Sequence, residues 1–259
     1  MANIILAKNP PVATVILDQP DDLNRLTPAS MALLGRIIDD IGSDGTIHAV
    51  VVTGAGDKFF SAGLLNPEIR AGMSKEDVLE FVFLANRVFD TLAALPQIVI
   101  AAINGDIMAG AVELALACDI RIAADDATLT MPEAKWGGFP GAGAPHRLGM
   151  AVGHARALEL ICTGREIDAT EMDRIGLVQA LHPRAAVKDA AQAMALTIGT
   201  NGPLATRGAK RILRTRQAPG FDEARALSDE LRDALEWSED VDEGLAAHRE
   251  GRKALFKGK

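Results

Sequence analysis

Apolar and polar positions divide the first half of the chain into short, well-separated segments. From Val12 to Leu17 the residues are aliphatic and β-branched, and the run stops at Asp18, Gln19, Pro20, Asp21 and Asp22, which predicts a strand followed by a turn. Thr27 precedes Pro28, and apolar Met31, Leu34, Ile37 and Ile38 recur at helical spacing. That combination of a capping residue, a proline in the first turn and a 3.6-residue period predicts a helix to about residue 41. Two apolar runs, His48 to Thr53 and Ile98 to Ile103, end at Gly54-Ala55-Gly56 and Asn104-Gly105 and read as strands buried on both faces. A helical pattern over residues 75–94 lies between them. After Gly105, Met108 to Cys118 is apolar except for Glu113, and Ile120 to Ala123 reads as a third strand. This alternation of strand and helix predicts an α/β core.

Beyond residue 150 the pattern becomes almost wholly helical. Gly176 stands where a helix over Asp168 to Ile175 should end, and a short apolar run, Leu177 to Leu181, follows. From Pro203 to Phe256 the chain is rich in Arg, Glu, Lys and Ala at helical spacing, so that its apolar stripes need a partner surface, either the core or another subunit. Asn201-Gly202-Pro203 is the best boundary, giving a core over 1–200 and a helical assembly region over 201–259.

Composition narrows the function classes. The 259 residues carry 27 Lys and Arg against 35 Asp and Glu, a formal net charge of −8, and 48% are hydrophobic. An acidic chain lacks the positive field needed for non-specific nucleic-acid binding or docking on an anionic membrane, and this much apolar material excludes disorder. Cys118 and Cys162 show no CxxC spacing, which leaves neither a disulfide framework nor a structural zinc site. No apolar run reaches the roughly 18 residues of a membrane span, and no basic leader opens the chain, so a cytoplasmic protein is expected.

Glu113 is the most informative residue, because Ala109 to Val112 and Leu114 to Ala117 leave its helix no polar face. A carboxylate buried there has a raised pKa, as a general acid or base near neutral pH requires; the alternative is a structural carboxylate paired with an arginine or lying in a subunit contact. Glu133 follows Met131-Pro132, ahead of the glycine-rich stretch Gly137 to Gly143. It can share a pocket with Glu113 if a strand near Thr128 to Met131 packs beside the Glu113 helix. Phe59 to Leu64 and Ala109-Gly110-Ala111 are small-residue segments able to offer backbone N–H groups to an oxyanion, or merely to pack closely. Gly54-Ala55-Gly56 does not complete a GxGxxG fingerprint, and no Walker A, GxSxG or HExxH motif occurs. His146 and His154 read as surface or capping residues, and no cluster has metal-ligand spacing.

Taken in order, Val51 to Gly56, Phe60-Ser61-Ala62-Gly63, Ile100 to Gly105, Glu113 to Ala123, Pro132-Glu133, Pro140 to Gly143, Arg156 to Leu160, Thr163-Gly164-Arg165 and Gly176-Leu177-Val178 resemble the enoyl-CoA hydratase/isomerase, or crotonase, family over nearly the whole chain. The resemblance implies repeated ββα units, a helical C-terminal trimerisation region, homo-trimers or hexamers, an acyl-CoA thioester substrate and no metal or further cofactor, coenzyme A being part of the substrate. It implies an oxyanion hole from the backbone N–H groups of Leu64 and Gly110. Glu113 would activate the water that attacks the β-carbon, Glu133 would deliver the α-proton, and the Gly141 backbone would help hold the water. Ala62, Arg25 and Lys257 would contact CoA, the last from a neighbouring subunit. Possession of both glutamates favours hydration of a 2-enoyl-CoA over isomerisation or another enolate-based conversion, and over a silent CoA-binding subunit. The chain departs from the family pattern at Leu64-Leu65, at Asp21-Asp22-Leu23 with Arg25 following Asn24, and at Ala144-Pro145-His146.

Overall fold

The computed structural model describes residues 4–136 and 140–217, together with 239, 240, 243, 247, 250, 252 and 255–259. Strands β1 (Ile4–Asn9) and β2 (Val12–Leu17) form an antiparallel hairpin, followed by helix α1 (Pro28–Ser43). Thr27 caps α1 in a reciprocal capping box with Ser30, as the sequence predicts.

Three ββα units follow. The first comprises β3 (Ala49–Gly54), β4 (Phe59–Ser61) and helices α2 (Pro67–Ala71) and α3 (Lys75–Ala94). The second is β5 (Ile98–Ile103), β6 (Asp106–Met108) and α4 (Gly110–Ala117). The third is β7 (Ile120–Ala124), β8 (Thr128–Thr130), a 3-10 turn Glu133–Trp136 and α5 (Ala144–Val152). The chain continues through α6 (His154–Thr163), β9 (Glu166–Asp168), α7 (Ala169–Arg174), β10 (Ala180–His182), α8 (Val187–Gly199) and α9 (Pro203–Gln217). Each unit gives its first strand to a six-stranded sheet ordered β1-β2-β3-β5-β7-β10 and its second to a four-stranded sheet ordered β4-β6-β8-β9. The expected repeated ββα architecture is therefore present.

Every residue of β3 is buried, and α8 packs over β3 and β5, which explains the unbroken apolar runs. The crossing between sheets within a unit is tight: a Cβ on Gly105 would meet the Lys58 carbonyl at 2.5 Å, and the Asn104 side chain accepts from Gly54 N and from Thr53 Oγ1. The reading of residues beyond 150 as almost wholly helical is corrected by β9 and β10. Both strands span three residues, too few for a period-2 pattern to emerge. In the predicted C-terminal assembly region, α9 is fastened to the core by Lys210 Nζ, which pairs with Asp119 Oδ2 (2.7 Å) and donates to Gln97 O (2.8 Å). The remainder of its predicted helical stretch, residues 218–238 above all, lies largely outside the described residues.

Candidate active site

The four-stranded sheet is the device that gathers the predicted residues. Its strands β4, β6 and β8 are parallel neighbours, in register at Ser61 with Ile107 and at Met108 with Thr130. The chain therefore leaves all three at one edge, where Ala62-Gly63-Leu64, Ala109-Gly110 and Pro132-Glu133 follow them. Side chains and amides that follow the carboxyl ends of adjacent parallel strands share a crevice, the usual position for ligands in such sheets.

Glu113 sits in the first turn of α4, whose residues are all buried, and is itself 2% exposed. Its Oε1 accepts from Ala142 N (2.7 Å) and Ala144 N (3.0 Å). Ala144 is the first residue of α5, so the carboxylate also faces the positive end of a helix dipole. Desolvation is the larger effect and pushes the carboxyl up to about 7, against the two amides and the Arg147 charge, with neighbouring Glu133 adding to the rise.

Glu133 opens the 3-10 turn after β8 and is half-buried. Desolvation pushes its carboxyl to about 7 as well. Its Oε2 is buried and has no hydrogen-bond partner among the described residues. Glu133 lies near enough to raise the Glu113 carboxyl by charge repulsion, so the two residues, twenty positions apart in sequence, are neighbours in the fold.

The two predicted amides are also adjacent. A Cβ on Gly63 would meet Gly110 N at 2.8 Å and Met108 O at 2.6 Å, and Gly63 has φ +83°, so only glycine fits. The Leu64 side chain lies over Gly110, filling the place a Cβ there would take. Ala109, at φ 52° and ψ −128°, turns the chain sharply into α4 and leaves Gly110 at its N-terminus. Among the described residues, neither the Leu64 nor the Gly110 N–H has an internal acceptor.

The remaining predicted positions divide. Ala62 N donates to Leu23 O and Leu26 N to Gly63 O, so Arg25 stands on the turn bound to the Ala62–Leu64 strip. Arg25 makes a loose 3.5 Å contact with Asp22. Gly141 lies beside the Glu113 turn, and its carbonyl accepts from Asn86 Nδ2 (2.6 Å). Within the chain Lys257 lies at Glu239 and Asp240: its side chain is 70% exposed with Nζ 3.8 Å from Glu239 Oε2, and its backbone N–H donates to Asp240. Burial pushes the Cys118 thiol to about 12, which removes it as a nucleophile. No group of His, Cys, Asp and Glu able to hold a metal occurs among the described residues.

The Enoyl-CoA hydratase/isomerase family model matches residues 7–259. The chain belongs to that family. It is 35% identical to the short-chain-enoyl-CoA hydratase of Clostridium acetobutylicum over 97% of this chain and 96% of that one. It is 32% identical to the crotonyl-CoA hydratase of Syntrophomonas wolfei, with 99% and 98% covered. A crystal structure of an enoyl-CoA hydratase from Bacillus anthracis superposes with a TM-score of 0.96 at 36% identity, covering 99% of this chain and 100% of that one.

Within this enoyl-CoA hydratase/isomerase family member, several supports of the site escaped the sequence reading. The amides of Ala142 and Ala144 carry no side-chain signature. Asn24, buried in a left-handed turn, donates to Ala55 O and Phe59 O (2.8 Å each) and so fixes the strand before Ala62. Arg121 closes the other end of α4, donating to the Cys118 carbonyl (2.9 Å) and to Leu177 O (2.7 Å). The altered Ala144-Pro145-His146 segment leaves the helix start intact, since α5 begins at Ala144 with Pro145 in its first turn. A separate groove of about 810 Å³, lined in part by Leu116, Asp119, Arg121, Met150, Lys210 and Leu213, lies at the far end of α4 and does not include either glutamate.

Proposed function

We propose that the protein is an enoyl-CoA hydratase that adds water reversibly to a trans-2-enoyl-CoA and gives a 3-hydroxyacyl-CoA. The observation that carries the reading is the buried Glu113 with Glu133 near it, their carboxyls pushed to about 7 by desolvation, in the crevice at the strand ends that also present the unpaired Leu64 and Gly110 amides. The thioester oxygen would lie between Leu64 N–H and Gly110 N–H, where fixed donors and a helix N-terminus favour the enolate-like charge; losing one such donor costs about 10²- to 10³-fold. Ionised Glu113 takes a proton from water as its oxygen bonds to the β-carbon, and Glu133 gives its proton to the α-carbon as the enolate collapses. A proton then passes from Glu113 to Glu133 through solvent and restores the starting state.

Coenzyme A enters as part of the substrate, and both protons have a carboxyl, so the scheme needs no metal or redox cofactor. Ala62 and Arg25 are proposed CoA contacts because they share one hydrogen-bonded strip with Leu64, and Gly141 a backbone contact to the water because it adjoins the turn that holds Glu113. Lys257 would reach CoA in a second copy. A homo-trimer or hexamer is supported by exposed Leu213 and Met150 beside the groove at α9. Among the described residues no helix is long and apolar enough to cross a membrane; a cytoplasmic location is proposed because a reducing compartment suits the free Cys118 and Cys162.

The test is loss of the enone absorbance of crotonyl-CoA and longer 2-enoyl-CoAs, for the wild type beside Glu113→Gln and Glu133→Gln. Turnover abolished by either change supports the scheme. A shifted double bond in the product would move the assignment to isomerisation, and CoA binding without turnover to a silent subunit.

A further inference from the structure

Helix α3 carries two polar side chains one turn apart, Asn86 and Asp90, the first reaching the turn that holds Glu113 directly and the second through Arg147. Asn86 donates to Gly141 O, while Asp90 pairs with Arg147 Nη2. Arg147 Nη1 in turn donates to Ala142 O (3.2 Å). The two anchored carbonyls thus lie on either side of the Ala142 N–H that donates to Glu113. Arg147 is 9% exposed and sits in the first turn of α5, its own N–H bonded to Gly143 O. Gly143, at φ +117°, leaves the room its guanidinium occupies; a Cβ there would run into Arg147 Nη1. Asp90 is 64% exposed, and a carboxylate so open to water adds little to stability, so its effect should be to aim the guanidinium.

We propose that Asn86, Asp90 and Arg147 form a positioning clamp that holds the Ala142 and Ala144 amides against Glu113 and thereby sets how this carboxylate meets the reacting water. None of the three needs to touch substrate. The charged groups acting on Glu113 are Glu133 from the 3-10 turn and Arg147 from α5, with Asp90 of α3 behind the guanidinium. Arg147 is the one favouring ionisation, so its loss moves the carboxyl upward. The clamp's catalytic consequence rests on the hydratase reading; its structural content does not.

The experiment compares Asn86→Ala, Asp90→Asn, Arg147→Met and Arg147→Lys by the pH dependence of crotonyl-CoA hydration and by amide hydrogen exchange at Ala142 and Ala144. Expected for Asp90→Asn and Asn86→Ala is a fall in kcat of roughly tenfold with KM changed less than about twofold. Arg147→Met should move the acidic limb of kcat to higher pH, and Arg147→Lys should return the limb while leaving kcat low, because it keeps the charge without the two-pronged geometry. Exchange at both amides should quicken in all but the wild type. Wild-type kcat, pH limb and exchange in folded Asp90→Asn and Asn86→Ala would overturn the clamp, even if Arg147→Met does not fold. The exchange readout needs no turnover, so an inactive wild type would refute the hydratase reading while still deciding the clamp.

Discussion

Replacing Glu113 by Gln separates what the carboxylate does for chemistry from what it costs the fold. A carboxyl raised from 4.5 to about 7 on folding is bound to its proton more tightly in the native state. Native protein therefore holds more protons than unfolded chain between those values, and stability falls as pH rises through that window. The contribution is fully present below the unfolded value and is lost once the pH passes the folded one. For a shift of this size the loss between about pH 5 and about pH 8 is roughly 2 to 3 kcal/mol. The introduced glutamine keeps a carbonyl oxygen for the Ala142 and Ala144 amides but brings an NH₂ group that must find an acceptor in a buried site. That penalty, about 1 to 3 kcal/mol, does not vary with pH. Urea denaturation of both proteins at the two pH values isolates the titrating part as the change in their stability difference. The variant should gain on the wild type by about 2 kcal/mol or more on going to the higher pH, while kcat at neutral pH falls about 10²- to 10⁴-fold. A stability difference that is the same at both pH values would refute the claim that Glu113 is desolvated in the native state.

Three further outcomes follow from the same geometry. The wild-type pH–rate profile should be bell-shaped about neutrality, with Glu133→Gln abolishing turnover at every pH without a large change in CoA binding, measured by calorimetry. Gly63→Ala should destabilise by about 3 kcal/mol or more in thermal denaturation, because it combines a positive φ with a backbone clash at Gly110 and Met108. Lys210→Met should cost roughly 3 kcal/mol in chemical denaturation, because it leaves Asp119 with one backbone donor, Val99 N, and Gln97 O without its donor.

Glu113 stands out in the sequence because a lone carboxylate in an otherwise apolar helix has few explanations, whereas Glu133, between a strand and a glycine-rich turn, is a weak candidate by itself because surface loops carry many idle glutamates. What joins them was not legible from periodicity. β4, β6, β8 and β9 have three residues each, shorter than any alternation that can be read, and their pairing is a property of the repeated unit. Family resemblance supplied that unit. Strand β1, an edge strand whose residues are mostly partly exposed, mixes polar and apolar positions and gave no clear signal. Leu23, Asn24 and Ala109 adopt left-handed or otherwise strained conformations that a non-glycine residue does not advertise. The clamp residues Asn86 and Asp90 look like any polar positions on a helix surface, since their partners are carbonyls and a guanidinium from a segment more than fifty residues away.

Under the proposed hydration, two carboxyls near 7 would have to divide the roles of base and acid, and the hydrogen bonds around them favour one division. Pairwise repulsion disfavours double ionisation, so near neutrality the dominant state carries one proton for the pair. That proton belongs where ionisation is supported least. Glu113 has two amide donors, a helix N-terminus and Arg147 to stabilise negative charge. Glu133 has its own backbone N–H to support negative charge, and a buried Oε2 with no donor among the described residues. The donors therefore favour ionisation at Glu113, against its greater desolvation, and under the proposed hydration they would make Glu113 the base for water and Glu133 the acid for the α-carbon. Under that scheme, weakening the Ala142 and Ala144 amides would shift the proton toward Glu113 and lower the populated fraction of the competent state, so that the supports of the turn would act on catalysis without meeting the substrate.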